Sequence, residues 1–199
     1  GLSATVHDPS ILQRWLGVRQ DQPALIKSSG GVSADVEIMV SEERIPWSGH
    51  SGRFAASEVY EKIKSAKMAL VFVNTRAQAE LMFQELWNEN EDGLAIALHH
   101  GSLAKDQRRR VEAAMASGAI KAVVCTSTLD LGIDWGEVDL VIQMGAPKGA
   151  ARLIQRIGRA NHRMDEASQA VLVPTNRFEI LECRAAEAAV EAGEIDGTG

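Results

Sequence analysis

Between residues 66 and 175, short runs of consecutive apolar residues alternate with longer segments in which apolar positions recur every three or four residues. The continuous runs at 69–73, 94–98, 122–125, 140–143 and 170–173 predict strands buried on both faces. The periodic segments at 76–88, 105–116, 149–162 and 177–189 predict amphipathic helices between and after them. Strands and helices in strict alternation call for right-handed crossovers, so the expected fold is α/β, a three-layer domain with a mainly parallel sheet covered by helices on both faces. In sheets of this kind ligands collect at the carboxyl ends of the strands.

Upstream the pattern is weaker. Asp8, Pro9 and Ser10 ahead of Ile11, Leu12, Trp15 and Leu16 spell a short capped helix ended by Gly17. Short strands are expected at 24–28 and 36–40 around a Gly30-Gly31 turn, and a helix at 54–65. Residues 41–53, with Pro46, Gly49 and Gly52, read as a loop or linker. Trp15 and Trp87 sit on the apolar faces of expected helices and are assigned to the core, whereas Trp47 falls in the loop and is open to either burial or exposure.

The chain's 199 residues, 45% hydrophobic and 24% charged, suffice for one globular core and an extension. A net charge of −6 excludes an indiscriminately basic nucleic-acid binder, but the charge is uneven. Residues 1–100 carry −4, residues 101–163 carry +4 and residues 164–199 carry −6. A cationic middle between acidic flanks suits a localised phosphate-binding surface. Cys125 and Cys183 are far apart, which fits reduced thiols in the cytoplasm better than a disulfide framework. No apolar run approaches the eighteen or so residues of a membrane span. The chain opens on Gly-Leu-Ser and closes on Gly-Thr-Gly, so it is expected to be a piece of something longer.

The cationic middle is concentrated at one helix. Arg152, Arg156, Arg159 and Arg163 follow at spacings of 4, 3 and 4, which stacks them in one narrow sector beside an apolar sector of Leu153, Ile154, Ile157 and Ala160. No Asp or Glu occurs from residue 140 to residue 164 to relieve their repulsion, so an anionic ligand is the expected occupant. A solvated basic face is the plainer alternative.

Three expected strand ends and one helix start carry polar groups. Asn74, Thr75 and Arg76 follow the first strand of the alternation, where free amides and a guanidinium suit a phosphate, although helix capping alone also accounts for Asn74 and Thr75. His99, His100, Gly101 and Ser102 form a turn rather than a metal pair, since adjacent His side chains point apart. Gln107, Arg108, Arg109 and Arg110 open the next helix, and one of these arginines can position a phosphodiester. Thr126, Ser127 and Thr128 lead through Asp130 and Gly132 to Asp134, and hydroxyls with a close-approaching glycine can hold phosphate.

Taken together in this order, Ser3-Ala4-Thr5, residues 71–76, His100-Gly101, residues 126–134 and residues 155–163 resemble the second RecA-like motor domain of superfamily 2 helicases. The resemblance is strong over 66–175, and the opening residues look like motif III, the tail of a preceding motor domain. Leu129-Asp130-Leu131-Gly132-Ile133-Asp134 and Gly158-Arg159-Ala160-Asn161-His162-Arg163 are most similar to the large helicase-related (Lhr) family, in its ligase-associated bacterial branch.

The resemblance implies a motor domain with arginine fingers at Arg159 and Arg163 acting on ATP, and with Gln155, Arg156, Gly132 and Asp134 on the nucleotide side. It implies nucleic-acid backbone contacts from Thr75, Arg76, His100, Gly101, Arg108, Thr126 and Ser127. The implied cofactors are ATP and Mg²⁺, held mainly by a first motor domain, and the implied partners are that domain, single-stranded DNA and other DNA-repair proteins. Two departures stand out: His162 occupies the usual last-arginine position with Arg163 one later, and Trp135 follows Asp134 where a smaller residue is usual. The sequence contains no Gly-x-x-x-x-Gly-Lys-Ser/Thr cradle and no Asp-Glu pair for Mg²⁺, so by itself the chain is expected to hydrolyse no ATP. The expected division is a first-domain tail at 1–23, short strands and a linker at 24–53, the motor domain at 54–175 and a helical connection at 176–199. An RNA helicase or remodeller, a non-catalytic nucleic-acid-binding module and a nucleotide-dependent α/β enzyme are the alternatives.

Overall fold

The computed structural model describes residues 8–17, 23–26, 35–49, 51–130, 138–158, 160 and 169–193. Its strands are β1 (Asp35–Ile38), β2 (Met68–Phe72), β3 (Ile96–His99), β4 (Ala122–Cys125), β5 (Val138–Met144) and β6 (Gln169–Val173). They form one sheet in the order β1-β6-β5-β2-β4-β3, parallel at every pairing. The helices are α1 (Pro9–Leu16), α2 (Ala56–Ser65), α3 (Arg76–Glu89), α4 (Lys105–Ala116), α5 (Ala150–Ile157) and α6 (Arg177–Glu191).

Alternation along β2 explains the three layers. Ala69 and Val71 join Val124 and Ile142 in facing α2 and α3, which supply Val59, Ile63, Met82 and Leu86. Met68, Leu70 and Phe72 face the other way, where Met115 of α4 packs. Leu153 and Ile157 of α5 and Cys183 of α6 extend that second face over Ala170 and Leu172. Each fully buried aliphatic side chain contributes about 1.5–3 kcal/mol, so the doubly covered central strands hold the fold together. Burial also pushes both thiols up, Cys183 to about 12, which leaves them protonated packing groups. No helix among the described residues is long and apolar enough to cross a membrane.

Several expectations need correction. β1, expected as a short strand at 36–40, runs over 35–38 and is paired with β6 at the sheet edge, where Met39 N–H continues the ladder to Leu172 O at 2.9 Å. Of the strand expected at 24–28, residues 24–26 are irregular and the rest lie outside the described residues. Trp15 and Trp87 are 81% and 57% exposed, not core, because both helices turn their other apolar residues or none inward. α6, expected as an outgoing connection, buries Cys183 and covers part of the sheet. α5 is described to Ile157 rather than His162, and the Gly158 N–H closes its last turn on Ile154 O at 2.9 Å.

The loop from β1 to α2 is fastened at both ends. Glu58 accepts from Ser41 Oγ at 2.7 Å and from the Glu42 N–H at 3.0 Å, while Arg177 N–H donates to Pro46 O at 3.1 Å. Its Gly52 is left-handed at φ 63°, and a Cβ there would sit 2.8 Å from Met144 Cε and 3.2 Å from Thr175 Cγ2. Gly93, at φ 65°, has open space around the same position. Gly93→Ala should therefore lose about 1–2 kcal/mol from the backbone alone, and Gly52→Ala measurably more, in paired urea denaturation curves. Equal losses would show that the Met144 and Thr175 contact has no energetic weight.

Candidate nucleic-acid and nucleotide interface

Because every strand runs the same way, the polar segments after β2, β3, β4, β5 and β6 emerge on one edge of the sheet. Hydrogen bonds join them sideways. Thr126 N–H donates to His99 O at 3.3 Å, and Thr128 Oγ1 lies 2.8 Å from His99 Nδ1, tying the ends of β3 and β4. Asn74 Nδ2 donates to Ala146 O at 3.0 Å, tying β2 to the segment after β5.

His99 is the centre of the first tie. Its Nε2 lies 3.1 Å from Glu112 Oε1 on α4, and burial holds the imidazole below its ordinary pKa despite that carboxylate. Arg108 adds a repulsive charge, and its Nε is buried with no hydrogen-bond partner among the described residues. Next to it, His100 is buried, and its Nδ1 accepts the Ser102 N–H at 3.3 Å, which assigns the ring proton to Nε2. That Nε2 sits 3.4 Å from Glu80 Oε1, a contact too poorly aligned for a hydrogen bond. Glu80 also takes Arg76 Nε at 2.8 Å, and Arg76 first and His100 second hold its carboxyl below the usual range.

Thr75, Arg76, His100, Gly101, Arg108, Thr126 and Ser127 are thus gathered along one edge. Thr75 is the N-cap of α3, its Oγ1 accepting from the Gln78 N–H at 3.2 Å. Gly101 stands against Thr128, whose Cγ2 would be 3.9 Å from an added Cβ. Sequence reasoning missed Glu112 on the next helix and the role of His99, whose pairing arises only through the fold, and it passed over Glu80, whose i,i+4 spacing from Arg76 was a local signal.

The arginine stripe requires a correction. Arg156 is 1% exposed, and it is not unpaired: its Nε donates to Asp130 Oδ1 at 2.8 Å, its Nη2 reaches Asp130 Oδ2 at 3.5 Å, and its Nη1 donates to Gln143 Oε1. The guanidinium also lies over the Phe72 ring, 4.6 Å from its centroid. Its relieving carboxylate comes from the segment after β4, 26 residues away in sequence, so a search of the local helix could not find it. A cation enclosed in this way serves as a clamp between α5 and the sheet, not as a phosphate ligand presented to solvent. Arg152, exposed, shares Asp130 at 3.5 Å, and Gln155 is half-buried one step before the clamp. Gln143 was visible as a polar interruption of an apolar strand, and Asp130 as part of the 126–134 run. Arg159, Arg163, Gly132 and Asp134 lie outside the described residues.

Residues 54–164 match the family model described as the helicase conserved C-terminal domain. The chain belongs to that family. Among relatives of this helicase domain, the Lhr helicase/probable uracil glycosylase of Mycolicibacterium smegmatis is 30% identical over 98% of the chain and 15% of its own length. The ATP-dependent helicase Lhr-Core of Saccharolobus solfataricus is 32% identical over 92% of the chain and 22% of its own length. The solved structure of Mycobacterium smegmatis helicase Lhr bound to ssDNA and AMP-PNP superposes on all of the chain and 27% of that protein, with a TM-score of 0.88 and 32% identity. The C-terminal domain of the DEAD-box protein Dbp5, at TM-score 0.63 and 20% identity, shares the RecA-like fold. The helicase domain therefore spans about a quarter or less of the length of these Lhr relatives.

Two outcomes test the interior of this edge. Asp130→Ala should cost about 3–5 kcal/mol, since it leaves a buried guanidinium without its carboxylate, whereas Asp130→Leu combined with Arg156→Met should lose less. Denaturant midpoints in which the double variant is the weaker would contradict the clamp. A His99 pKa below 6.5 means that its stabilising contribution is complete above pH 6.5 and is lost as pH falls through 6.5 toward the folded value. Unfolding free energies at pH 7.5 and pH 5.5 should accordingly diverge more for the wild type than for His99→Gln.

Proposed function

We propose that this chain is the second motor domain of an Lhr-type ATP-dependent DNA helicase or translocase. The observation that carries the reading is the superposition of the whole chain, at TM-score 0.88, on a helicase bound to ssDNA and AMP-PNP. In this reading Arg159 and Arg163 are arginine fingers toward the γ-phosphate, with Gln155 lining the nucleotide and Gly132 and Asp134 linking the nucleotide and strand surfaces. Thr75, Arg76, His100, Gly101, Arg108, Thr126 and Ser127 hold the phosphodiester backbone of a single strand, fixing its register without reading its bases. Residues 1–23 are the end of a first motor domain in the same polypeptide, and residues 176–199 lead toward further domains of a cytoplasmic protein that acts in DNA repair.

The described residues fit an adenine nucleotide from one side only. Gln155 is half-buried there, Arg152 is exposed and lies 3.5 Å from Asp130, and among the described residues no group of three or more His, Cys, Asp or Glu converges as a metal site would. When bound, ATP with Mg²⁺ supplies the free energy, through transfer of its γ-phosphoryl group to water, and the phosphate cradle and Mg²⁺ ligands come from the first motor domain. This chain's share is electrostatic: the finger guanidinium neutralises charge that develops on the transferring group. The buried Arg156 clamp ties α5 to the segment after β4 through Asp130, four residues beyond Thr126.

The test is ATP turnover by the full-length protein, wild type and Arg159→Ala, with single-stranded DNA or RNA added. DNA-stimulated turnover should fall about a thousandfold or more in the variant while strand binding persists. Turnover that survives the substitution removes Arg159 from the finger role, and stimulation by RNA alone would reassign the substrate.

A further inference from the structure

Beside Thr75 lies a cleft of about 710 Å³, within the range of about 300–1,000 Å³ usual for small-ligand sites. It opens at the carboxyl ends of β2, β5 and β6, lined by Asn74 and Thr75, by Pro147 and Lys148, and by Trp47 and Phe178. Trp47 is 61% exposed and Phe178 64% exposed, with their ring centroids 6.5 Å apart.

Trp47 differs from the other exposed aromatic residues in how firmly it is held. On its amino side, Ile45 O accepts from Arg177 Nε at 3.2 Å and Pro46 O from the Arg177 N–H at 3.1 Å. On its carboxyl side, Gly49 O accepts from Asn176 Nδ2 at 3.0 Å. The Arg177 guanidinium then stacks on the indole, 4.4 Å from the ring. One face is covered by a cation and the loop is fixed at both flanks, so the remaining surface is a flat aromatic plane whose ordering is complete before anything binds.

We propose that this cleft holds one nucleotide of the bound single strand, with its base stacked on Trp47 and its phosphate beside Thr75 and Lys148. The inference rests on the reading of the chain as a strand-binding motor domain and extends its track from Arg76 across the end of β5. The polarity of the cleft fits a nucleotide in one orientation. Lys148 and the Thr75 end supply the cation and donors for a phosphate, whereas the Phe178 side carries Glu182, a carboxylate that repels phosphate but can accept from an exocyclic base amine. Stacking of this type is tolerant of sequence, which suits a motor that moves along any strand.

The experiment measures binding of the full-length protein to a fluorescent 12-nucleotide thymidine oligomer and to the same backbone made abasic, over a salt series. Trp47→Ala should weaken the thymidine oligomer about tenfold and leave the abasic backbone unchanged, with Trp47→Phe recovering most of the loss. Lys148→Ala should weaken both probes alike and lower the salt slope by about 0.7. Equal loss by Trp47→Ala on both probes, or none on either, overturns the stacking role. New protease cleavage in Trp47→Ala with unchanged strand binding would give the cleft to a protein segment instead. A wild-type protein that binds neither probe would overturn the motor reading itself, and this inference with it.

Discussion

A guanidinium in an apolar interior is unstable unless its charge is met, and at Arg156 three elements meet it. Asp130 from the segment after β4, Gln143 from within β5 and the Phe72 ring from β2 surround one side chain of α5. Ion pairs of this kind add little net stability compared with an apolar replacement, because desolvation offsets most of the attraction. They do penalise every arrangement in which the partners part. A shift of α5 along the sheet, or of the segment after β4, would strand a buried charge. That constraint ties α5 to the strand end carrying Thr126.

The same edge shows how a parallel sheet converts remote residues into one surface. β2, β4 and β3 lie side by side in the sheet although long helical segments separate them in the chain, and their ends are joined by Thr126 to His99 and by Glu80 bridging Arg76 and His100. His99 is kept neutral by burial, so the tie holds at neutral pH without a buried cation. On the far side of Thr75, Asn74 fixes the segment after β5, and the loop bearing Trp47 is fixed to the start of α6. The edge is therefore cross-linked along its length, although each segment in isolation is a loop.

The chain spans about a quarter or less of the length of the Lhr relatives it matches. Within it, positive charge is concentrated in residues 101–163 while the flanking stretches are acidic, so cationic and anionic side chains come from different parts of the chain.

Local chemistry was enough to read the alternation of doubly buried strands with amphipathic helices, the caps at Asp8 and Thr75, and the motifs on the strand ends. Each depends on residues a few positions apart, through strand period, helix period or capping geometry. The stripe of arginines was legible too, but not its meaning at Arg156, because the carboxylate that neutralises it arrives through the fold from Asp130. Trp15, Trp47 and Trp87 follow the same division: apolar periodicity alone placed two of them in the core, and the packing of α1 and α3 left them in solvent. β1 was legible as a short strand near 36–40, but four residues carry too little pattern to reveal a pairing partner more than 130 residues later. Periodicity thus determined the elements and their order, whereas burial, charge pairing and the company each side chain keeps were decided by tertiary structure, since they depend on contacts between residues far apart in the chain.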